Sequence, residues 1–305
     1  MKLVTQKKIR LNVICWVFMA PTVISYLVFQ GVPIFTGIYY SFLNWSGLSS
    51  RTTFIGFANY REILGDSVFW NAVKNSFIYS LEAVPLFLIV SLTFAYILNM
   101  EVFKGRVLYR TMLFIPVITT AAVIGIIMVF IWGSTGPINS LLIKTGLSEQ
   151  GIRWLGDSRT AMITVVFISV WKDMGTYMIY WLAGLSSIPQ DVYEAAEVDG
   201  SGKIRTLFQV VLPMMMPIAG TIALLNIINS LKVFDIIKTM TNGGPFFATD
   251  VAATFVYRTA FSSEIGMPRM GYASAGSFVF GIIVIALTIG LQGLKQFFGK
   301  FGVQE

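Results

Sequence analysis

Two sets of polar residues fall inside stretches that are otherwise apolar. Ser169, Asp173, Thr176 and Tyr177 follow helical spacing and share one helix face; Asn226, Asn229 and Ser230, with Val233, repeat the pattern further on. Asn75, Tyr79 and Glu82 form a third set, and Trp171, Tyr180 and Trp181 add rings beside the first. Polar groups are costly in apolar surroundings, so each is a functional candidate. Hydroxyls, amides and a carboxylate near aromatic rings suit a polyhydroxylated ligand. The rings pack on its C–H faces and the polar groups satisfy its hydroxyls. The same side chains equally serve to bond helix to helix or to mark a membrane–water interface. Taken as a set, Asn226, Asn229 and Ser230 favour a path for a solute. Lys232 and Asp235 stand nearer the outer end of their stretch, where a long side chain snorkels, and Lys172 either snorkels or pairs locally.

Catalytic chemistry asks for other residue types. The 305 residues contain no histidine and one cysteine, Cys15, which removes the commonest general base and any metal cluster built on those ligands. An intrachain disulfide is excluded, and the redox compartment stays open. There is no G-x-x-x-x-G-K-[ST] stretch, so no phosphate-cradling loop is visible and no nucleotide cofactor is expected on this chain.

These candidates need elements to position them, and composition says which. Hydrophobic residues make up 55% of the chain and charged residues 12%, the balance of an integral membrane protein. The net charge of +7 forms no dense, aromatic-interleaved patch, so nucleic acid is not an expected partner. Apolar runs long enough to cross a hydrocarbon core predict six helical spans, at about 11–35, 72–100, 112–132, 161–185, 214–237 and 273–294. The first run is too long for a signal peptide and lacks a small-residue cleavage site. Pro85 is expected to bend the second span, and Pro116 sits near the start of the third. Residues 41–70, with Trp45, Tyr60 and Trp70, suit an interface. The segments 133–157, with Gly136-Pro137, and 238–272, with Asn242-Gly243-Gly244-Pro245, read as polar connections.

Between the fourth and fifth runs lies a stretch of different character, residues 188–213. Pro189 suits the first position of a helix, Asp191 and Glu194 complement its positive end, and Ala195 and Ala196 extend it. Gly200 or Gly202 supplies the positive φ that ends it, and Lys203 to Leu212 forms a second helix stopped at Pro213. The spacing predicts helix, tight turn, helix, either as a solvated connector or as something more.

Basic residues orient the whole. Lys2, Lys7, Lys8 and Arg10, then Lys104, Arg106 and Arg110, then Lys203 and Arg205, then Lys295 and Lys300 all fall on one side. Arg51, Arg61, Lys144, Arg153, Arg258 and Arg269 are spread over longer loops on the other. The positive-inside rule puts both termini and residues 188–213 in the cytoplasm.

The segment Glu194-Ala195-Ala196-x-x-Asp199-Gly200-x-Gly202, followed by Leu212-Pro213-x-x-x-Pro217, closely resembles the EAA loop of permease subunits in binding-protein-dependent ABC importers. The likeness runs along essentially the whole chain. It includes Ser41-Phe42-x-x-Trp45, Phe54-Ile55-Gly56-Phe57-Ala58-Asn59-Tyr60, Arg110 with Pro116, and Gly136-Pro137-x-Asn139. It continues through Trp171-Lys172-x-x-Gly175, Phe234-Asp235, Gly243-Gly244-Pro245 and Gly271-Tyr272-Ala273-Ser274-Ala275. Ser201 and Leu207 depart mildly from that pattern, which usually has alanine and often phenylalanine there. The later motifs are most similar to the first, F-like permease of maltose- and glycerol-phosphate-type carbohydrate systems.

The resemblance implies an all-α integral membrane protein of the type I ABC importer permease kind. It would have a cytoplasmic N-terminus (1–10), a transmembrane permease domain (11–295) and a cytoplasmic tail (296–305). It implies a second homologous permease, a cytosolic ATPase dimer carrying ATP and Mg, an extracytoplasmic solute-binding protein and a carbohydrate-like solute, in a prokaryotic cell membrane. Glu194, Ala195, Ala196, Asp199, Gly200, Gly202, Leu212 and Pro213 would form the ATPase-coupling segment. Ser169, Asp173, Thr176, Tyr177, Asn226, Asn229 and Ser230 would line the substrate path. The chain itself would be non-catalytic. The competing reading is an ion-coupled secondary transporter using Glu82, Asp173 and Asp235 as a charge pathway, disfavoured by the lack of visible inverted repeats or paired broken spans. A membrane enzyme is disfavoured by the missing histidine.

Overall fold

The computed structural model describes residues 2–49, 52–100, 105–262 and 266–301, with side chains from 12 to 293 within those ranges. Arg51 and Lys104 lie outside the described residues, as do the side chains of Lys2, Lys7, Lys8, Arg10, Lys295 and Lys300. The chain divides into two compact units, residues 1–66 with 256–279, and residues 67–255 with 280–305.

The first unit begins with helix α1 (Lys2–Tyr26), which runs through a π-helical turn at Leu27–Gly31 into α2 (Val32–Ser41). Residues 12–41 together form a 30-residue apolar span, longer at its far end than the expected 11–35. A two-stranded antiparallel hairpin follows, β1 (Leu43–Asn44) with β2 (Thr53–Phe54), then α3 (Ala58–Gly65). Asn59 fastens this turn by donating to the Ser41 and Leu43 carbonyls at 2.8 and 3.0 Å. In the same unit Arg269 grips Glu62 through two bonds of 2.7 and 2.6 Å and lies 4.2 Å from the Tyr272 ring centre. That bidentate bond from Arg269 holds the Glu62 carboxyl below its ordinary range, and the carboxylate in turn raises the guanidinium.

The second unit is built on α4 (Ser67–Asn99) and α8 (Ala161–Leu185), which pack along each other. Small residues on α4, among them Ala72, Ser76, Ser80 and Ala83, are buried and allow close approach. Met178, Trp181 and Leu185 fill the same core from α8. Helix α4 runs unbroken through Pro85, and α8 keeps the bounds expected for the fourth span.

Two expected spans are not single helices. The third divides into α5 (Arg106–Ile118) and α6 (Ala121–Ile131), which meet at 97°. Pro116 has no N–H to give to the preceding turn, and Thr119 and Thr120 take extended ψ values of 137° and 140°. An apolar run is blind to this, because composition barely changes across the break. The fifth, expected at 214–237, also divides. Helix α10 (Lys203–Thr206) continues through a π-helical turn at Leu207–Val211 into α11 (Leu212–Met214); after Met215, α12 (Met216–Leu231) leaves at 79°. The helix passes Pro213 and stops one residue later, since Pro217 cannot bond the Pro213 carbonyl four residues back. Residues 232–234 are not helical, and α13 (Asp235–Met240) is a separate element.

Both supposed polar connections carry helices. Residues 133–157 contain α7 (Pro137–Lys144), with Gly136-Pro137 opening a helix rather than turning a loop. Asn139 binds this segment together: its amide donates to the Gly133 and Ile152 carbonyls at 2.9 Å and accepts from the Ile152 N–H and Trp154 Nε1. Helix α14 (Ala252–Phe261) lies in the other connection, before α15 (Met270–Phe301), whose apolar span covers 270–293. Among the described residues four helices are long and apolar enough to cross a membrane, or up to six if each bent pair counts as one span.

Candidate functional site

A cavity of about 320 Å3 opens in the second unit between α4, α8, α12 and the segment after α12. All seven sequence-predicted path residues line it: Ser169, Asp173, Thr176 and Tyr177 from α8, and Asn226, Asn229 and Ser230 from α12. Tyr79 and Phe87 contribute rings from α4, and Phe87 and Tyr177 lie 5.1 Å apart, centre to centre.

These side chains differ in what they have free to offer. The Ser169 hydroxyl donates to the Val165 carbonyl at 2.8 Å, and Ser230 donates to Ser80 at 2.6 Å. The first bond lies within α8 and the second ties α12 to α4, so both hydroxyls are already used in the fold. Asn229 reaches the Tyr177 hydroxyl at 3.5 Å, a weak contact. Asn226 stands apart: it is 0% exposed, and neither its amide nitrogen nor its carbonyl oxygen has a partner. A buried, unpaired amide is destabilising by about 1–3 kcal/mol, and at 0% exposure a solute group supplies its bonds only once the cavity wall opens.

Charge enters at one edge of the cavity. Lys172 pairs with its neighbour Asp173 at 2.6 Å, and the lysine is buried while the carboxylate is half exposed. Lys232 and Phe234, from the non-helical stretch that follows α12, and Asp235, at the start of α13, also line the cavity. The sequence ranked Lys232 and Asp235 low because a continuous span would place them at its outer end. The helix stops at Leu231 instead, and the chain turns them onto the cavity rim. Glu82, assigned with Asp173 and Asp235 to a charge pathway, is not among the lining residues. Asn75 is spent elsewhere, donating to the Phe247 and Asp250 carbonyls at 2.9 and 3.0 Å.

The second candidate segment forms as expected locally: helix α9 (Gln190–Val198), a turn, then α10. Pro189 precedes the helix as its cap rather than occupying its first position. Gly200 takes the left-handed conformation at φ 72°, whereas Gly202 is extended and caps α10. Ile188 and Val211 are buried at the two ends of the segment, and Ala196 and Thr206 are buried within it. Glu194, Ala195 and Asp199 face outwards, with Val198 and Ile204 exposed at 87% and 75%. Ala196 therefore packs inwards while Ala195 does not. Leu212 and Pro213 lie beyond the turn, Leu212 half-buried and Pro213 exposed. Tyr193 has a buried hydroxyl with no partner, and burial, followed by the nearby Tyr96, pushes its ionisation up. It stays a neutral donor at ordinary pH.

A family model of the binding-protein-dependent transport system inner membrane component matches residues 67–300. The chain belongs to this family. It is similar to the probable ABC transporter permease protein YurN of Bacillus subtilis (strain 168), at 33% identity over 96% of this chain and 98% of the relative. Further relatives include the arabinooligosaccharides transport system permease protein AraP of the same organism, at 30% identity over 92% of this chain and 87% of the relative. The multiple sugar-binding transport system permease protein MsmF of Streptococcus mutans serotype c (strain ATCC 700610 / UA159) is 30% identical over 88% of this chain and 90% of its own length. Among solved structures, the fold matches a bacterial ABC transporter involved in the import of the acidic polysaccharide alginate. The TM-score is 0.78 at 21% identity, covering 96% of this chain and 98% of that one.

In this permease, several family-like motifs turn out to hold structure together rather than to line the cavity. Asn139 is a loop hub, and Asn59 braces the hairpin. Gly175 faces α5 so closely that a Cβ would lie 2.6 Å from the Leu113 carbonyl oxygen. The rim residues Lys232, Phe234 and Asp235 were underweighted, and the break before them has no marker in hydropathy. The Phe234-Asp235 motif was the one signal pointing there.

Proposed function

We propose that this permease passes a sugar, oligosaccharide or related polyol across a prokaryotic cell membrane, after delivery by an extracytoplasmic binding protein. The observation that carries the reading is the cavity itself: aromatic rings, hydroxyls and the wholly buried, unpaired Asn226 amide converge on one space. A polyol can offer donors and acceptors to that amide and C–H faces to Tyr79, Phe87 and Tyr177. The names of AraP and MsmF, and the alginate importer with its similar fold, support a carbohydrate. A structure of that alginate transporter in complex with a pentasaccharide-bound periplasmic protein supports delivery by a binding protein here as well.

In this reading the two bent helix pairs each count as one span, giving six, with both termini and residues 188–213 in the cytoplasm. A second permease lies across the path and two ATPase subunits, which hold ATP and Mg, lie below. The exposed residues of α9 and α10 support docking: acidic Glu194 and Glu197 with apolar Val198 on α9, and apolar Ile204 on α10, are left to water, which satisfies the apolar ones poorly. Glu194, Ala195, Asp199 and Gly200 are the segment's contact and turn positions, while Ala196 packs inwards and Gly202 caps α10. Leu212 and Pro213 belong to the hinge that joins it to α12. The chain is then a conduit and lever, and the hydrolysis happens in its partner.

The test is import by proteoliposomes containing the whole complex. Uptake is expected to need ATP and the loaded binding protein and to persist when ion gradients are collapsed. ATP-independent, gradient-driven uptake would overturn the reading. Glu194→Lys and Gly200→Pro should still insert in the membrane but weaken ATPase association or import, and normal import by both would remove the coupling role.

A further inference from the structure

We propose that Tyr96 is a positioning residue for coupling: its hydroxyl fastens the turn segment at Lys203 to the C-terminal end of α4. This rests on the reading of residues 188–213 as the ATPase-docking segment. That segment is continuous with α8 and α12, so any movement of it reaches those two helices through the chain. Helix α4 has no such covalent route, yet it supplies Tyr79 and Phe87 to the cavity.

The Tyr96 hydroxyl donates to the Lys203 carbonyl at 2.8 Å, across 107 residues of sequence. Lys203 opens α10, directly after the Gly200–Gly202 turn. Packing makes part of this connection, since Ala95 and Leu98 of α4 share a core cluster with Ile188 and Val211 at the two ends of the segment. A space of about 420 Å3, lined by Tyr96, Asn99, Tyr193, Glu197 and Lys203, separates α9 from the end of α4. The hydroxyl bridges at the edge of that space.

Two further features make the bond useful. Arg110 donates to the Leu98 carbonyl at 2.6 Å, so α5 is held to the same last turn of α4 that bears Tyr96. Helix α4 is then an unbroken rod from Tyr96 back to Phe87 and Tyr79, a distance of about 13 to 26 Å at 1.5 Å per residue. A displacement at Lys203 therefore has a second route to the ring-bearing wall of the cavity, along α4 itself.

Tyr96→Phe removes the donor and keeps the ring. In the reconstituted complex it should assemble and hydrolyse ATP with binding protein present. Solute imported per ATP should fall about two- to tenfold, the range one neutral hydrogen bond sets. Amides of residues 203–211 should exchange hydrogen faster than in the wild type. Wild-type import per ATP in Tyr96→Phe, or a defect confined to Tyr96→Ala, would mean that only ring packing matters and would overturn the proposal. Unchanged exchange would also overturn it. Glu194→Lys separates the two ideas. If that variant binds the ATPase and imports normally, the docking reading fails, whereas the exchange measurement on Tyr96→Phe still decides the anchor.

Discussion

Asn226 carries the most direct residue-scale prediction. Its amide makes no bond in the fold, so Asn226→Leu, which keeps the branching and the number of side-chain heavy atoms, removes an unsatisfied group instead of a used one. The thermal midpoint of the purified complex should hold or rise, while import falls about tenfold as a solute hydroxyl loses its partner. A lowered midpoint with normal import would assign the amide to helix packing. Glu62 gives a pH prediction of defined sign. Arg269 lowers the carboxyl below its ordinary 4.5, so the pair stabilises the fold above that value and the contribution is lost as pH falls through the lowered one. Both side chains are about half exposed, at 50% and 48%, which limits the effect to about 0.2–1 kcal/mol. As pH falls below that ordinary value the wild-type midpoint should fall more steeply than that of Glu62→Gln. Residue types and helical spacing were enough to pick out seven residues that line one cavity. They did not distinguish Asn226, unpaired, from Ser230, bonded to Ser80, because that depends on what the neighbouring helix presents.

At the scale of elements, the informative features are the breaks. The fourth span has the same bounds in sequence and structure because polar turns bracket it, while the third and fifth hide their bends inside apolar runs. Gly175 shows what the bent third element needs. Helix α5 lies against α8 where Gly175 leaves room, and the nearest atom to an added Cβ is backbone, which cannot rotate away. Gly175→Leu should therefore push α5 off α8 and destabilise the unit by about 1–3 kcal/mol, read as a lower thermal midpoint in detergent. A midpoint within error of the wild type would show that α5 shifts freely. The turn at Gly200 was legible for the opposite reason: a glycine after a helix with exposed neighbours needs only local stereochemistry to take positive φ.

For the whole molecule, orientation rests on the distribution of basic residues over the connections. With Cys15 replaced by serine, single cysteines at Leu147 and Val198, both highly exposed, report it. A membrane-impermeant thiol reagent should label Leu147→Cys in intact cells and Val198→Cys only after permeabilisation. The reverse pattern would invert the topology and remove residues 188–213 from any cytosolic ATPase. Residues 161–185 are a span whether four or six are counted, so labelling on opposite sides tests that crossing.

The sequence by itself determined that this is a helical membrane protein, which segments are apolar, which polar residues share a helix face, and that residues 188–213 form helix, turn and helix. Those are local properties: hydropathy, 3.6-residue spacing and glycine stereochemistry act within a few residues of chain. Only the tertiary structure decided that two apolar runs bend by 97° and 79°, that Lys232 and Asp235 turn onto the cavity rim, and that Asn226 is left without a partner. It also brought Tyr96 to Lys203 across 107 residues. The bends begin at prolines, which hydropathy does not register, and the rest is fixed by contact between helices far apart in sequence, where a polar group's worth depends on the partner that packing brings or withholds.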